Sequence, residues 1–162
     1  LIGVHAAISG YSGGHKANPT YEEVCTGETG HAEVVQIAYD SSLISYEQLM
    51  DVFFFLHDPT QMNRQGNDIG TQYRSVIFFK DEAEKAKAEN ALKQSELSER
   101  WNGTYVTEIT KLEEFFPAEQ YHQGYYEVNP TQPYCSAVVG PKIAKFKKHY
   151  GELGMLRADL NN

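Results

Sequence analysis

The chain has 162 residues, 41% of them hydrophobic and 22% charged, which is one ordinary domain's worth of sequence and excludes a multidomain machine, a disordered polymer and a membrane-spanning bundle. Fourteen Lys and Arg against 22 Asp and Glu leave a formal charge of −8 with no basic cluster to track phosphates, so nucleic acid is excluded as a partner. Two cysteines, Cys25 and Cys135, are too few for a disulfide framework and too far apart for a CxxC pair or a zinc knuckle. The alternation of Val4, Ala6 and Ile8 predicts a strand that gives way to a Gly-rich loop, Gly10-Tyr11-Ser12-Gly13-Gly14. Thr20 and Glu23 have the spacing of a capping box, which predicts a short helix over 21–26 ending at Gly27. From His31 to Tyr39 a strand would carry Glu33 on the same face as Val35 and Ile37. Ser45 and Gln48 open a second helix with Leu49, Met50, Val52, Phe53 and Leu56 as its buried stripe, stopped by Asp58-Pro59.

The stretch from Pro59 to Gln72 lacks periodicity and reads as a long polar loop, a place where binding residues are often carried. A strand over 73–79, a helix capped by Asp81 and running to Leu97, and a strand over 105–110 follow. The aromatic run 121–126 predicts a short helix ending before Asn129-Pro130. Thr131-Gln132-Pro133-Tyr134 predicts a loop delivering Cys135, and 141–150 a basic helix followed by a polar tail. Interleaved strands and helices with mixed connections define an α+β single domain with a mixed sheet flanked by helices and long loops, domain 1–150 and tail 151–162.

Six histidines without a close pair give no zinc signature, and the glycines at 10–14 match no phosphate-binding pattern, so no metal and no cofactor is expected. His31 and Glu33 can be read as a polar pair at a strand end. Glu33, however, stands on an apolar strand face where an ionised carboxylate is costly. To be mostly protonated at neutral pH it needs a pKa about 2.5 units above its reference, a shift that burial can supply.

With these residues the chain resembles the A-type methionine sulfoxide reductases. The resemblance is carried by Ser9-Gly10-Tyr11-Ser12-Gly13-Gly14, the run from Asn18 to Cys25, Thr29-Gly30-His31-Ala32-Glu33 and His57-Asp58-Pro59-Thr60. It continues through Gln65 to Ser75, Pro117 to Gln123, Asn129-Pro130 and Tyr134-Cys135. It implies a ferredoxin-like two-layer core and thiol-dependent reduction of free or protein-bound methionine S-sulfoxide. It also implies a role in repair of oxidised proteins under oxidative stress, with thioredoxin as reductant. Residue by residue it implies Glu33 as proton donor to the sulfoxide oxygen, Tyr21 and Tyr73 as phenols bonding that oxygen, Asp68 as the supporting loop carboxylate and Cys135 as the resolving thiol. A monomer in the cytoplasm, without membrane contact, is the expected setting.

The family's nucleophile lies in a Gly-Cys-Phe-Trp block ahead of the position of Leu1, and the sequence contains no such block. The start at Leu1, with neither Met nor a signal segment, is expected to be a cut, with the nucleophile upstream. Two alternatives stand beside this: a truncated, non-catalytic sulfoxide-binding domain, and Cys25 as nucleophile. The resemblance makes Cys25 a structural or incidental thiol, and a structural Cys25–Cys135 disulfide is the remaining bland alternative.

Overall fold

The computed structural model describes residues 1–125, 129 and 131–160; Tyr126, Pro130, the side chain of Cys135 and the end of the tail lie outside the described residues. Strand β1 (Val4–Ser12) continues through Gly10 and Tyr11 where a loop was expected. Two neighbours explain its length. On one side β1 pairs antiparallel with β2 (Ala32–Tyr39), with Tyr11 opposite Glu33. A side chain at Gly10 would run into the Phe115 ring, so glycine is the residue that lets the partner on the other side approach.

Helix α1 (Tyr21–Cys25) starts at the expected capping box: Thr20 Oγ1 accepts the Glu23 amide, and Glu23 returns a carboxylate oxygen to the Thr20 amide. Helix α2 (Tyr46–Leu56) repeats the device with Ser45 and Gln48. Leu49 and Val52 are buried as expected, whereas Leu56 is exposed and Phe54 is the fully enclosed residue. Tyr46, Met50 and Phe54 are spaced by four and share the face that packs on the next strand and helix. The polar loop after Pro59 contains a small hairpin, β3 (Arg64–Gln65) with β4 (Asp68–Ile69), and a 3₁₀ turn at Thr71–Tyr73. Strand β5 (Val76–Phe79), helix α3 (Glu82–Leu97, capped by Asp81) and strand β6 (Glu108–Lys111) follow, with β6 parallel to β5.

Strand β7 (Phe115–Pro117) lies on the free edge of β1, giving the order β2-β1-β7. The expected α+β class holds, with the strands of the described residues in three small sheets. Cys135 does not sit on a loop. Residues 133 and 134 are helical, and Cys135 opens a π-helical turn (Cys135–Val139) continuous with α4 (Gly140–Glu152). Proline disrupts a helix interior but is well tolerated in a first turn, which is where Pro133 stands. The segment after Gly151 is not a free tail either: Leu156 is buried with Val52 and Tyr150, and the Ile2 amide donates to the Met155 carbonyl at 2.8 Å.

The main core joins Tyr46, Phe54, Ile77 and Ala88 from α2, β5 and α3. Beside it, the His57 Nδ1–H donates to the Phe53 carbonyl, and Nε2 accepts the Ser75 hydroxyl at 2.7 Å. Ser75 is in turn 2.7 Å from the Thr107 hydroxyl, so the end of α2 is tied to the start of β5. Burial holds the His57 pKa below its ordinary value, keeping the ring neutral in this chain of bonds. Phe54→Ala should cost about 3–5 kcal/mol of unfolding free energy, the usual range for emptying an aromatic core site. Urea titration of both proteins would read this as a lower midpoint at unchanged slope.

Candidate active site

The site is built where the ends of β1 and β2 meet the Gly-rich turn. The Gly14 amide donates to His31 Nδ1 at 2.9 Å, and His31 Nε2 is 2.6 Å from the Lys16 carbonyl, which can only accept. His31 is therefore the neutral tautomer protonated on Nε2, and it braces the turn from inside the protein, 2% exposed. The strand-end polar pair of His31 with Glu33 is therefore not what the structure shows: both His31 ring nitrogens bond backbone groups instead. Glu33, two residues on, shares its side of the sheet with Tyr11, Val35 and Ile37; of these only Tyr11 is buried, so the enclosed apolar face expected from the sequence is not formed at Val35 and Ile37, which are exposed.

Glu33 keeps contact with solvent, yet its pKa is pushed up to about 7, chiefly by burial and secondly by the negative charge of Asp68. Asp68 comes from the β3–β4 hairpin, whose turn is made by Gly66 at φ +58°, in the left-handed region that favours glycine. Tyr73 closes the 3₁₀ turn, its amide donating to the Gly70 carbonyl at 3.1 Å. Its phenol is held protonated by burial first and then by the charges of Glu33, Cys25 and Asp68. The adjacent Gln72 is buried and donates from Nε2 to the Cys25 carbonyl at 3.3 Å, which fastens this turn to the end of α1.

Tyr21 is the first residue of α1. Its phenol is also held well above the ordinary range, with the Cys25 thiol, four residues on, as the leading cause and burial next. The structure thus brings together Glu33, Tyr21, Tyr73 and Asp68, four of the five residues singled out in the sequence. The fifth, Cys135, borders the cluster through its neighbour: the Tyr134 hydroxyl donates to Asp68 Oδ2 at 2.9 Å. Burial and that bond push the Tyr134 pKa up to about 12.

Three further members of the cluster were not singled out. Tyr11 is 2% exposed, and its hydroxyl has no partner among the described residues. Burial raises its pKa, followed by the charges of Glu119 and Glu33. Glu119 and Tyr134 complete the set. The signal for Tyr11 was the strand alternation, had β1 been carried past Gly10. For Tyr134 it was adjacency to Cys135. Cys25, set aside as incidental, is exposed beside the phenols.

What this arrangement can do is donate hydrogen bonds and one proton. Phenols kept protonated and a carboxyl whose pKa is pushed up to about 7 lie within electrostatic reach of one another, an arrangement suited to an oxygen that gains negative charge during a reaction. Among the described residues no group of three or more His, Cys, Asp or Glu side chains could hold a metal ion, and no helix is long and apolar enough to cross a membrane.

An α+β domain that gathers a carboxyl and several phenols at one end of a sheet is suited to proton donation, and solved structures match its fold. The reduced form of Mxr1 from Saccharomyces cerevisiae superposes with a TM-score of 0.75 at 34% identity, over 82% of this chain and 76% of that one. Methionine sulfoxide reductase A of Corynebacterium diphtheriae gives 0.74 at 37% identity, over 80% and 66%. The model of the peptide methionine sulfoxide reductase family matches residues 1–153. MsrA of Nautilia profundicola is 56% identical over 146 residues, 90% of this chain and 83% of that protein, and MsrA of Saccharolobus solfataricus is 51% identical over 90% and 81%. The chain belongs to the peptide methionine sulfoxide reductase family.

Proposed function

We propose that the protein reduces methionine S-sulfoxide, free or within a polypeptide, to methionine. Glu33 gives the proton to the sulfoxide oxygen, Tyr21 and Tyr73 hydrogen-bond that oxygen, and Asp68 supports the cluster and keeps the Glu33 proton in place at neutral pH. The attacking group is a cysteine thiolate, which the family resemblance assigns to a Gly-Cys-Phe-Trp block that these 162 residues do not contain. Its attack on sulfur transfers the oxygen and leaves a sulfenic acid and methionine. Cys135 then condenses with the sulfenic acid, releasing water and forming a disulfide, which thioredoxin reduces by dithiol exchange. Repair of oxidised proteins by a monomer in the cytoplasm fits a cycle driven by a reducing thiol pool.

The observation that carries this reading is that, on a chain of this family, Glu33 lies near Asp68 and the Tyr21 and Tyr73 phenols, where burial and the Asp68 charge push its pKa up to about 7. The test is a dithiothreitol-driven assay of the full natural chain on the separated S and R sulfoxides of a blocked methionine, with product followed by chromatography. Consumption of the S form with the R form untouched is expected. Equal reduction of both would refute the stereochemical assignment, and reduction of neither would refute the activity.

A further inference from the structure

Tyr21 has to present its phenol from the first residue of a five-residue helix, an element too short to hold its own orientation. Besides the Thr20–Glu23 cap and the Gln72 bond to Cys25, the helix is held at its first residue by a carboxylate from far along the chain. Glu119 Oε2 accepts the Tyr21 backbone N–H at 3.3 Å and, on the same oxygen, the Tyr121 hydroxyl at 2.9 Å. His122 reinforces the junction: its ring centroid lies 4.3 Å from that of Tyr21 and 4.1 Å from that of Tyr121, and its Nε2 is 3.8 Å from the same Glu119 oxygen.

The segment that carries Glu119 is itself immobilised on the sheet. The Gln123 side chain accepts the Ser9 N–H at 2.9 Å and donates to the Ser9 and Ala118 carbonyls at 3.0 Å, in the manner of an added strand residue on the edge of β1. Pro117, two residues before Glu119, pairs with Gly10 on the same strand. Glu119 therefore spans a rigid strand edge and a short helix whose first residue is a site phenol.

We propose that Glu119 is a positioning residue for sulfoxide reduction: by gripping the amide of Tyr21 it sets the reach of the Tyr21 phenol toward the oxygen of the substrate. It acts through reach rather than charge, because what the Tyr21 amide and the Tyr121 hydroxyl need is an acceptor oxygen at that distance, which a carboxamide also supplies. The inference rests on the reading of Tyr21 as a donor to the sulfoxide oxygen.

The experiment is a set of single-turnover and steady-state assays on the full natural chain carrying Tyr21→Phe, Glu119→Gln, Glu119→Asp, and Tyr21→Phe with Glu119→Asp. Glu119→Asp keeps the charge and shortens the arm, and should lower the rate of the reductive step about tenfold, since small misplacements of a positioned group are costly. Glu119→Gln keeps the arm and drops the charge, and should stay within about twofold of the wild type. Tyr21→Phe should lose about tenfold as a missing oxygen donor, and the double variant should be no slower than Tyr21→Phe alone. Multiplied losses in the double variant, or a Glu119→Asp protein as fast as the wild type, would overturn the positioning role while leaving the Tyr21 reading intact. A Tyr21→Phe protein as fast as the wild type would remove that reading and the inference with it. Because Gln and Asp both keep a polar side chain at this half-exposed position, the comparison does not depend on a variant that fails to fold.

Discussion

Glu33→Gln in the full natural chain should lower the rate of the reductive step about a hundredfold to ten-thousandfold, the usual worth of a positioned general acid. Binding of the sulfoxide should survive, because a carboxamide has nearly the same shape as a protonated carboxyl and still donates a hydrogen bond, but it has no proton to transfer. The sign of the pH dependence follows from the raised pKa. At about 7 the wild-type carboxyl is half protonated at neutral pH, and above it the acid form falls tenfold per pH unit. Single-turnover rates should therefore decline on the alkaline side with an apparent pKa near 7, and that limb should vanish in Glu33→Gln. Because Asp68 supplies the second part of the shift, Asp68→Asn should move the limb to lower pH. Equal rates for the wild type and the Glu33→Gln variant, or an alkaline limb that persists without the carboxyl, would reject Glu33 as the acid.

The parts of this fold that were legible in the sequence are those fixed by short-range chemistry. Thr20 with Glu23 and Ser45 with Gln48 each form the full reciprocal cap, and Asp81 accepts the Glu84 amide, because caps are decided within four residues. The placement of Glu33 with Val35 and Ile37 on one face was legible for the same reason, since strand alternation is local. The misses are long-range. Gly10 and Tyr11 look like a turn until Pro117 and Phe116 arrive from more than a hundred residues away and pair with them. Two-residue strands at Arg64–Gln65 and Asp68–Ile69 carry no periodicity to detect. Leu156 reads as tail because its burial depends on Val52 and Tyr150, which no local pattern announces. The site follows the same division: single residues with unusual surroundings could be picked out, whereas Glu119, whose importance lies in a bond to an amide 98 positions away, could not.

Cys135→Ser should separate the two halves of the cycle. In the proposed cycle the reductive step uses a nucleophilic thiol other than Cys135, together with Glu33 and the phenols, so in the absence of added thiol the variant should release about one methionine per site and stop at the sulfenic acid. Thioredoxin-driven turnover should fall at least about a hundredfold, since exchange requires a disulfide sulfur for the incoming thiolate to attack. A small dithiol, which can attack a sulfenic acid directly, should still support turnover. The setting of Cys135 fits a group that must come to the site. It opens a π-helical turn, a rare form that recurs at functional sites, and the residue before it is held to the site carboxylate by a single hydrogen bond, Tyr134 to Asp68. Tyr134→Phe removes that tether without touching the thiol, and should leave the first methionine released at the wild-type rate while slowing disulfide formation. Mass spectrometry on quenched samples distinguishes the species, with the Cys135→Ser protein trapped about 16 Da heavier, the mass of the one oxygen atom a sulfenic acid adds. Wild-type rates of thioredoxin-driven turnover in Cys135→Ser would mean that another thiol resolves the intermediate, and exposed Cys25 beside Tyr21 and Tyr73 would be the first to replace next.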